Sequence, residues 1–390
     1  MSRSKPSILF ISHDANRAGA QLFLLNIMKD FQQRGFEMEL LCLTKWGPLL
    51  PEFEAICPVS TVPDSNQGRM SKLFGGNPED SIMSYIRVRY QRSDIDLIYA
   101  NTIACAGLAT IAKKALEVPL ISHIHELQFS LDMYADTEDK QRLFELSDGV
   151  IACSQAVADN LIANNGVNQN KIEVIHSFID NERVIEVIEN SNSEQIFEEF
   201  QLPQDQFLVG ACGNAEWRKG LDIFINIAQE ASQKLNSVHF VWIGVKPEGD
   251  YYDQVMYDVR KMGIENQITF IPPTPKAVEI INTLDAFLVS SREDPFPLVM
   301  LEAALCEKPI LGFENSGGCS EFVKDKAGLL AKYMHISGVV DNLKTFIENE
   351  QLRKEKGETG KRQILELYNF EQSSLKLKNY LEQFQTENEV

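Results

Sequence analysis

The sequence predicts an α/β protein built from two doubly wound parallel sheets, and three observations lead there. Short apolar runs, the mark of strands buried on both faces, alternate with longer segments of helical period. The 390 residues exceed what one core holds at about 150 residues per domain. Between Ile179 and Gln206 the apolar pattern weakens and Glu, Asn and Ser accumulate, which marks the passage from one sheet to the next.

The first half opens with a strand over Ile8–His13 that ends at a polar turn. A helix over Ala20–Gln33 follows, carrying Leu22, Leu25, Ile27 and Phe31 and stopped at Gly35. Further strands are expected over Glu39–Leu43, Leu97–Ala100, Leu120–Ile124 and Gly149–Cys153. Residues 64–80, rich in Ser, Asn, Gly and Pro, read as a mobile surface loop. The second half repeats the strand signal over Phe207–Cys212, Val238–Ile243, Ile268–Ile271, Ala286–Val289 and Pro309–Phe313. Ser373–Phe384 has helical spacing but follows a completed sheet, so it is expected to pack on the first domain. The expected domains are residues 1–182, joined by the tail 368–390, and residues 183–367.

Composition narrows the function classes. Thirty-seven Lys and Arg against 56 Asp and Glu leave a net charge of −19, which repels phosphate backbones and anionic bilayers. The longest apolar stretch, Leu97–Ala112, is broken by Asn101 and Thr102 and falls short of the roughly 20 residues that span a bilayer. Ile8–Ile11 is too short for a secretory core segment, so a cytoplasmic protein is expected, touching the inner membrane face at most transiently. The 7 cysteines lack C-x-x-C spacing and read as reduced core thiols.

Several segments carry chemistry. Ser290-Ser291-Arg292-Glu293-Asp294-Pro295-Phe296-Pro297 follows a strand and opens a helix over Leu298–Cys306, with Pro297 suited to the first helical position. Inside that helix Glu302 is surrounded by Val299, Met300, Leu301, Ala303, Ala304 and Leu305, where a lone carboxylate costs several kcal/mol. It needs either a neighbouring Arg or N–H, or a ligand's hydroxyl pair such as that of a ribose. Asp294 lies on the loop at the carboxyl end of the same strand, where open α/β sheets bind ligands. Arg218 and Lys219 stand between the Phe207–Cys212 strand and a helix from about Leu221. Two cations at a helix start oppose its dipole, which favours an anionic ligand, a solvated pair being the alternative.

In the first half, Arg17-Ala18-Gly19-Ala20 joins the first strand to its helix with a single glycine. His123 and His125 alternate onto one side of their strand, and one of them is expected to face the crevice, a structural histidine being the alternative. Asp94-Ile95-Asp96 has the D-x-D form of some metal sites but precedes a strand, so it is expected to face solvent.

Together these segments resemble the motifs of family 4 retaining glycosyltransferases. Asp294 and Glu302 occupy the two acidic positions of the E-x7-E signature. Gly213–Asp222 is similar to the donor-phosphate loop, Asn315–Glu321 to the Gly-Gly loop, His125-Glu126 to the His-acid pair near the sugar, and Ile271–Thr274 to the loop that reads the base. The chain also departs from the pattern. Asp294 replaces Glu and has Glu293 beside it, Asn214 stands where Arg is frequent, and His176-Ser177-Phe178 stands where Pro-Asn-Gly is frequent. Pro297 replaces Gly and removes an N–H, leaving those of Leu298 and Val299.

The resemblance implies the GT-B architecture, two Rossmann-like domains facing a cleft. It implies retaining transfer of a hexose from a nucleotide-diphosphate sugar to a hydroxyl of a glycan, lipid-linked or small-molecule acceptor, in polysaccharide or glycoconjugate synthesis, with no metal and no other cofactor. It gives Arg218 and Lys219 the departing diphosphate, Glu302 the ribose, and Asp294 or Glu293 the sugar. His125 contacts sugar or acceptor, and Gly19, Pro273, Phe296, Leu298 and Val299 surround the donor. Two rivals stay open, a catalytically idle scaffold of the same fold and a sugar-nucleotide epimerase.

Overall fold

Ile8–Ser12 (β1) is buried along its whole length, the state of a strand inside a parallel sheet covered on both faces. In the computed structural model, which describes residues 5–63, 78–324 and 326–384, it lies near the centre of a 7-stranded sheet. The others are Met38–Cys42 (β2), Val59–Thr61 (β3), Leu97–Asn101 (β4), Leu120–Ile124 (β5), Gly149–Ala152 (β6) and Ile172–Val174 (β7). The order is β3-β2-β1-β4-β5-β6-β7, and neighbours pair in parallel. The direction of winding reverses between β1 and β4, so their carboxyl ends diverge and leave a crevice. The edge strands β3 and β7 escape sequence reading because each has only 3 half-buried residues, too few to show a period.

The second sheet has 6 strands: Phe207–Cys212 (β8), Val238–Ile243 (β9), Ile268–Ile271 (β10), Ala286–Val289 (β11), Ile310–Phe313 (β12) and Gly328–Ala331 (β13), in the order β10-β9-β8-β11-β12-β13. Its winding reverses between β8 and β11. Trp242 and Phe240 of β9 are fully buried against Phe224, with ring centroids 5.2 and 5.4 Å away. Each such side chain contributes about 1.5–3 kcal/mol by leaving water.

The chain divides into one unit of Met1–Ser177 with Glu371–Val390 and another of Phe178–Phe370. The stretch after Ile179 is two helices, Asn181–Asn190 and Ser193–Glu199, each started by an Asp or Asn side chain that accepts a backbone N–H. The helix Phe370–Glu382 lays Ser374 against Asp30 and Lys376 against Glu173, 2.7 Å away. At Gly149 a Cβ atom would come within 2.4 Å of the Tyr380 hydroxyl, so only glycine admits this helix so closely.

Two expectations change. Of residues 64–80, 64–77 lie outside the described residues, while Pro78–Asp80 form the first turn of the helix Pro78–Tyr90 rather than loop. Asp96 is not a solvent-facing acid: its Oδ2 accepts the backbone N–H of Ser7 at 2.8 Å and ties the start of β1 to that of β4.

Candidate active site

In the second unit two loops at the carboxyl ends of the adjacent strands β8 and β11 are laced together. Gly213 leaves β8 with its carbonyl held by the indole N–H of Trp242 at 2.9 Å. Gly220, at φ +71°, starts the helix Leu221–Lys234, and a Cβ there would meet the Ser290 carbonyl at 2.2 Å. The N–H of Arg292 donates to the Arg218 carbonyl at 2.8 Å, and the Ser290 hydroxyl to the Lys219 carbonyl at 3.1 Å. This lacing sets the side chains that follow.

Lys219 Nζ lies 2.7 Å from Asp294 Oδ2, which also accepts from the Ser291 hydroxyl at 3.1 Å. Arg218 Nη1 is 3.8 Å from Asp294 Oδ1 and donates to the Glu293 carbonyl at 3.1 Å, while its Nη2 reaches Glu216 at 2.9 Å. Asp294 is only 5% exposed. Burial alone pushes its carboxyl up, but the charges of Lys219 and Arg218 and the hydrogen bonds from Lys219 and Ser291 outweigh this, so its pKa falls below the usual value. Cys212, Lys219, Ser291, Asp294, Pro297 and Val299 line a small recess here.

Pro297 is the residue before the helix Leu298–Leu305, not its first residue. Its extended backbone (ψ 117°) turns the chain into the helix, and Phe296 packs on Tyr368 at 5.4 Å between centroids. One turn further on, burial pushes the Glu302 carboxyl up to about 7, with the positive charge of Arg183 opposing the shift. The Gly-Gly segment packs on the same loop. Gly318 donates to the carbonyls of Asp294 and Pro295 at 3.0 Å, and a Cβ there would lie 2.4 Å from the Pro295 carbonyl. Arg218, Lys219, Glu293 and Asp294 thus meet, whereas Pro273 is exposed on the loop after β10 and bonds none of them.

In the first unit the carboxyl ends of β1, β4 and β5 gather histidines and side-chain amides beside the carboxylates of Asp14 and Glu126. His125 Nε2 lies 3.0 Å from Asn101 Oδ1, and its backbone N–H donates to Glu126 at 2.9 Å. Its ring stacks on that of His123 at 4.1 Å, with Phe23 edge-on to both at 5.2 Å. His123 is fully buried and bonded to Tyr99 through Nδ1, so of these two only His125 is partly exposed. Gly19, the first residue of the helix Gly19–Gln33, is exposed with open space where a Cβ would stand.

Two family models cover most of the chain. Residues 17–183 match Glycosyltransferase Family 4, and residues 192–363 match Glycosyl transferases group 1. The chain belongs to the family 4 glycosyltransferases. Its two parallel-sheet units are those of the GT-B architecture. The D-inositol 3-phosphate glycosyltransferase 1 of Catenulispora acidiphila is 21% identical over 325 residues, 77% of this chain and 75% of that one. The N-acetyl-alpha-D-glucosaminyl L-malate synthase of Bacillus anthracis is 24% identical over 293 residues, 72% of this chain and 73% of that one. Among solved structures, Anabaena HepE in complex with UDP superposes with a TM-score of 0.81 at 21% identity, covering 96% of this chain and 99% of HepE. A glycosyltransferase from Rickettsia africae gives 0.79 at 14% identity, covering 99% and 100%.

Sequence reasoning on this glycosyltransferase missed several partners. Ser291 was visible beside Asp294, but nothing in the spacing showed its hydroxyl turned onto the carboxylate. Arg292 grips Asp222 through two bonds of 2.8 and 2.6 Å and lies 4.7 Å over the Trp217 ring, which braces the turn between β8 and the helix Leu221–Lys234. Asn101 had a signal, a polar residue closing the apolar run of β4. Among the described residues no helix is long and apolar enough to cross a membrane.

Proposed function

We propose that this glycosyltransferase moves a hexose from a nucleotide-diphosphate sugar to an acceptor hydroxyl with retention of configuration, in polysaccharide or glycoconjugate synthesis. The observation that carries this reading is the Arg218–Lys219 pair, held at a strand's carboxyl end by a buried carboxylate and next to the amino end of the helix Leu298–Leu305. As the glycosidic bond breaks, negative charge collects on the leaving diphosphate and positive charge on the sugar ring. Fixed cations and N–H groups aimed at that charge need no reorganisation when it develops. Lys219 and Arg218 take the diphosphate with the N–H groups of Leu298 and Val299. Asp294 keeps Lys219 aimed and offers its other oxygen to a sugar hydroxyl, Glu302 takes the ribose, and His125 contacts sugar or acceptor. In this reading the two side-chain cations supply the charge neutralisation without a divalent ion.

The UDP and UDP-glucose complexes named for Anabaena HepE support a nucleotide-sugar donor. The test is a screen of UDP-, GDP- and ADP-hexoses with and without acceptors, scored by release of free nucleoside diphosphate. Turnover with one donor, unchanged by a chelator and giving product of the donor's anomeric configuration, is the expected result. No binding of any nucleotide leaves the idle-scaffold reading. Consumption of donor without acceptor and without nucleotide release identifies an epimerase.

A further inference from the structure

We propose that Asn101 is a positioning residue that holds His125 in the form protonated on Nε2, leaving Nδ1 as a bare acceptor for a substrate hydroxyl. The inference rests on the transferase reading and names what the first unit recognises. It follows from counting hydrogens. The Asn101 amide nitrogen donates to the Ala20 carbonyl at 3.1 Å, and a carbonyl can only accept. The other amide atom, 3.0 Å from His125 Nε2, is therefore oxygen, so Nε2 carries the hydrogen between them. Burial drops the His125 pKa to about 3, which keeps the ring neutral with a single N–H. Nδ1 then holds a lone pair, and among the described residues it has no hydrogen-bond partner.

The surroundings fix the ring's plane as well as its hydrogen. His123 stacks on it and Phe23 meets its edge. Asn101 is wholly buried, and its two side-chain bonds join the turn at Ala20 to His125. Thr102, the next residue, adopts φ +79° and ψ 156°, a conformation rare outside glycine, and is held there by its N–H to the His123 carbonyl at 3.0 Å.

The neighbouring histidine shows the opposite arrangement. Gln21 gives one amide hydrogen to Asp14 at 2.6 Å and the other to His13 Nε2 at 2.9 Å. His13 Nδ1–H is left to face the Thr102 hydroxyl at 3.4 Å, so both of its nitrogens are engaged. Of these two, His125 alone keeps an open nitrogen. A bare lone pair accepts from an alcohol and repels a phosphate or carboxylate, so this position selects a sugar or acceptor hydroxyl.

The test is nitrogen NMR on protein labelled at histidine, with His125 assigned by loss of its signals in His125→Gln. At neutral pH, Nε2 is expected to be protonated and Nδ1 not; the reverse pattern overturns the proposal. In Asn101→Ala the His125 nitrogens should shift toward a mixture of both forms. Its kcat should fall about tenfold, the worth of one hydrogen bond, while calorimetric affinities for UDP, GDP and ADP stay as in the parent. An unchanged His125 spectrum with parental turnover in Asn101→Ala also overturns it, and if that variant fails to fold the parent spectrum decides alone. Failure of the transferase reading is distinguishable, since it appears as absent turnover in the parent enzyme and leaves the spectrum intact.

Discussion

The two strand-end clusters of this molecule solve different problems with different chemistry. In the second unit full charges sit together: Lys219 and Arg218 converge on a buried Asp294. In the first, no cation among the described residues joins the cluster: Asn101 pairs with His125 and Gln21 with His13, Gln21 also holds the Asp14 carboxylate, and burial pulls the pKa of each of these two histidines down. On the proposed function the difference is one of ligand: a charged leaving group calls for fixed cations whose own carboxylate keeps them in place, whereas a neutral hydroxyl calls for one oriented lone pair.

The sharpest way to break this contrast is to remove its strongest charge. Lys219→Ala is expected to lower transfer by about 10² or more, and to leave Asp294 buried without its nearest partner, costing about 3 kcal/mol of stability. Adding Asp294→Asn should restore much of that stability in chemical denaturation without restoring turnover. Recovery of both would show that Lys219 serves the fold rather than the reaction.

Changing the carboxylates one at a time comes next. Asp294→Asn is expected to lower kcat more than tenfold and Glu293→Gln much less, because Asp294 Oδ2 takes both Lys219 and Ser291. An effect confined to Glu293 would move the sugar contact one residue along the chain. On the neutral side, His125→Ala should lower kcat about tenfold and leave nucleotide affinity unchanged, since a single uncharged hydrogen bond is lost.

The smallest effect is a divergence of the two units with pH. His13, His123 and His125 have pKa values held below the usual 6.5, so the unfolded chain binds their protons more readily. The first unit should therefore lose stability as pH falls below about 6.5. In the second unit Glu302 is raised from 4.5 to about 7, so its contribution is full below 4.5 and is lost as pH rises toward 7. His239, also lowered, works the other way, and the stability from Asp294 is lost only once pH falls below its usual 3.8. Between pH 7 and 5 the first unit should weaken relative to the second. Hydrogen exchange resolved by unit checks this, and Glu302→Gln should remove the second unit's gain.

How much of this was legible beforehand depended on the range of the interaction. Ile8, Leu9, Phe10 and Ile11 announce a buried strand through adjacent residues, and Gly35 stops its helix by a local left-handed turn at φ +76°. The loops carrying Arg218, Lys219 and Asp294 were readable because each is a continuous motif after a strand. Asp96 was misread because what it binds, the N–H of Ser7, lies 89 residues away. The strands β3 and β7 were passed over because 3 residues carry no period.

The sequence by itself determined the alternation of strand and helix, the passage between two sheets and the loops that carry polar chemistry, because these rest on neighbours within a few residues. Only the tertiary structure decided that Lys219 meets Asp294 across 75 residues and that Asn101 meets His125 across 24. Strand order, set by how whole elements pack into a sheet, places those ends side by side. Hydrogen bonds and ion pairs act only over a few ångströms, so which groups could pair was settled by that order and not by their spacing along the chain.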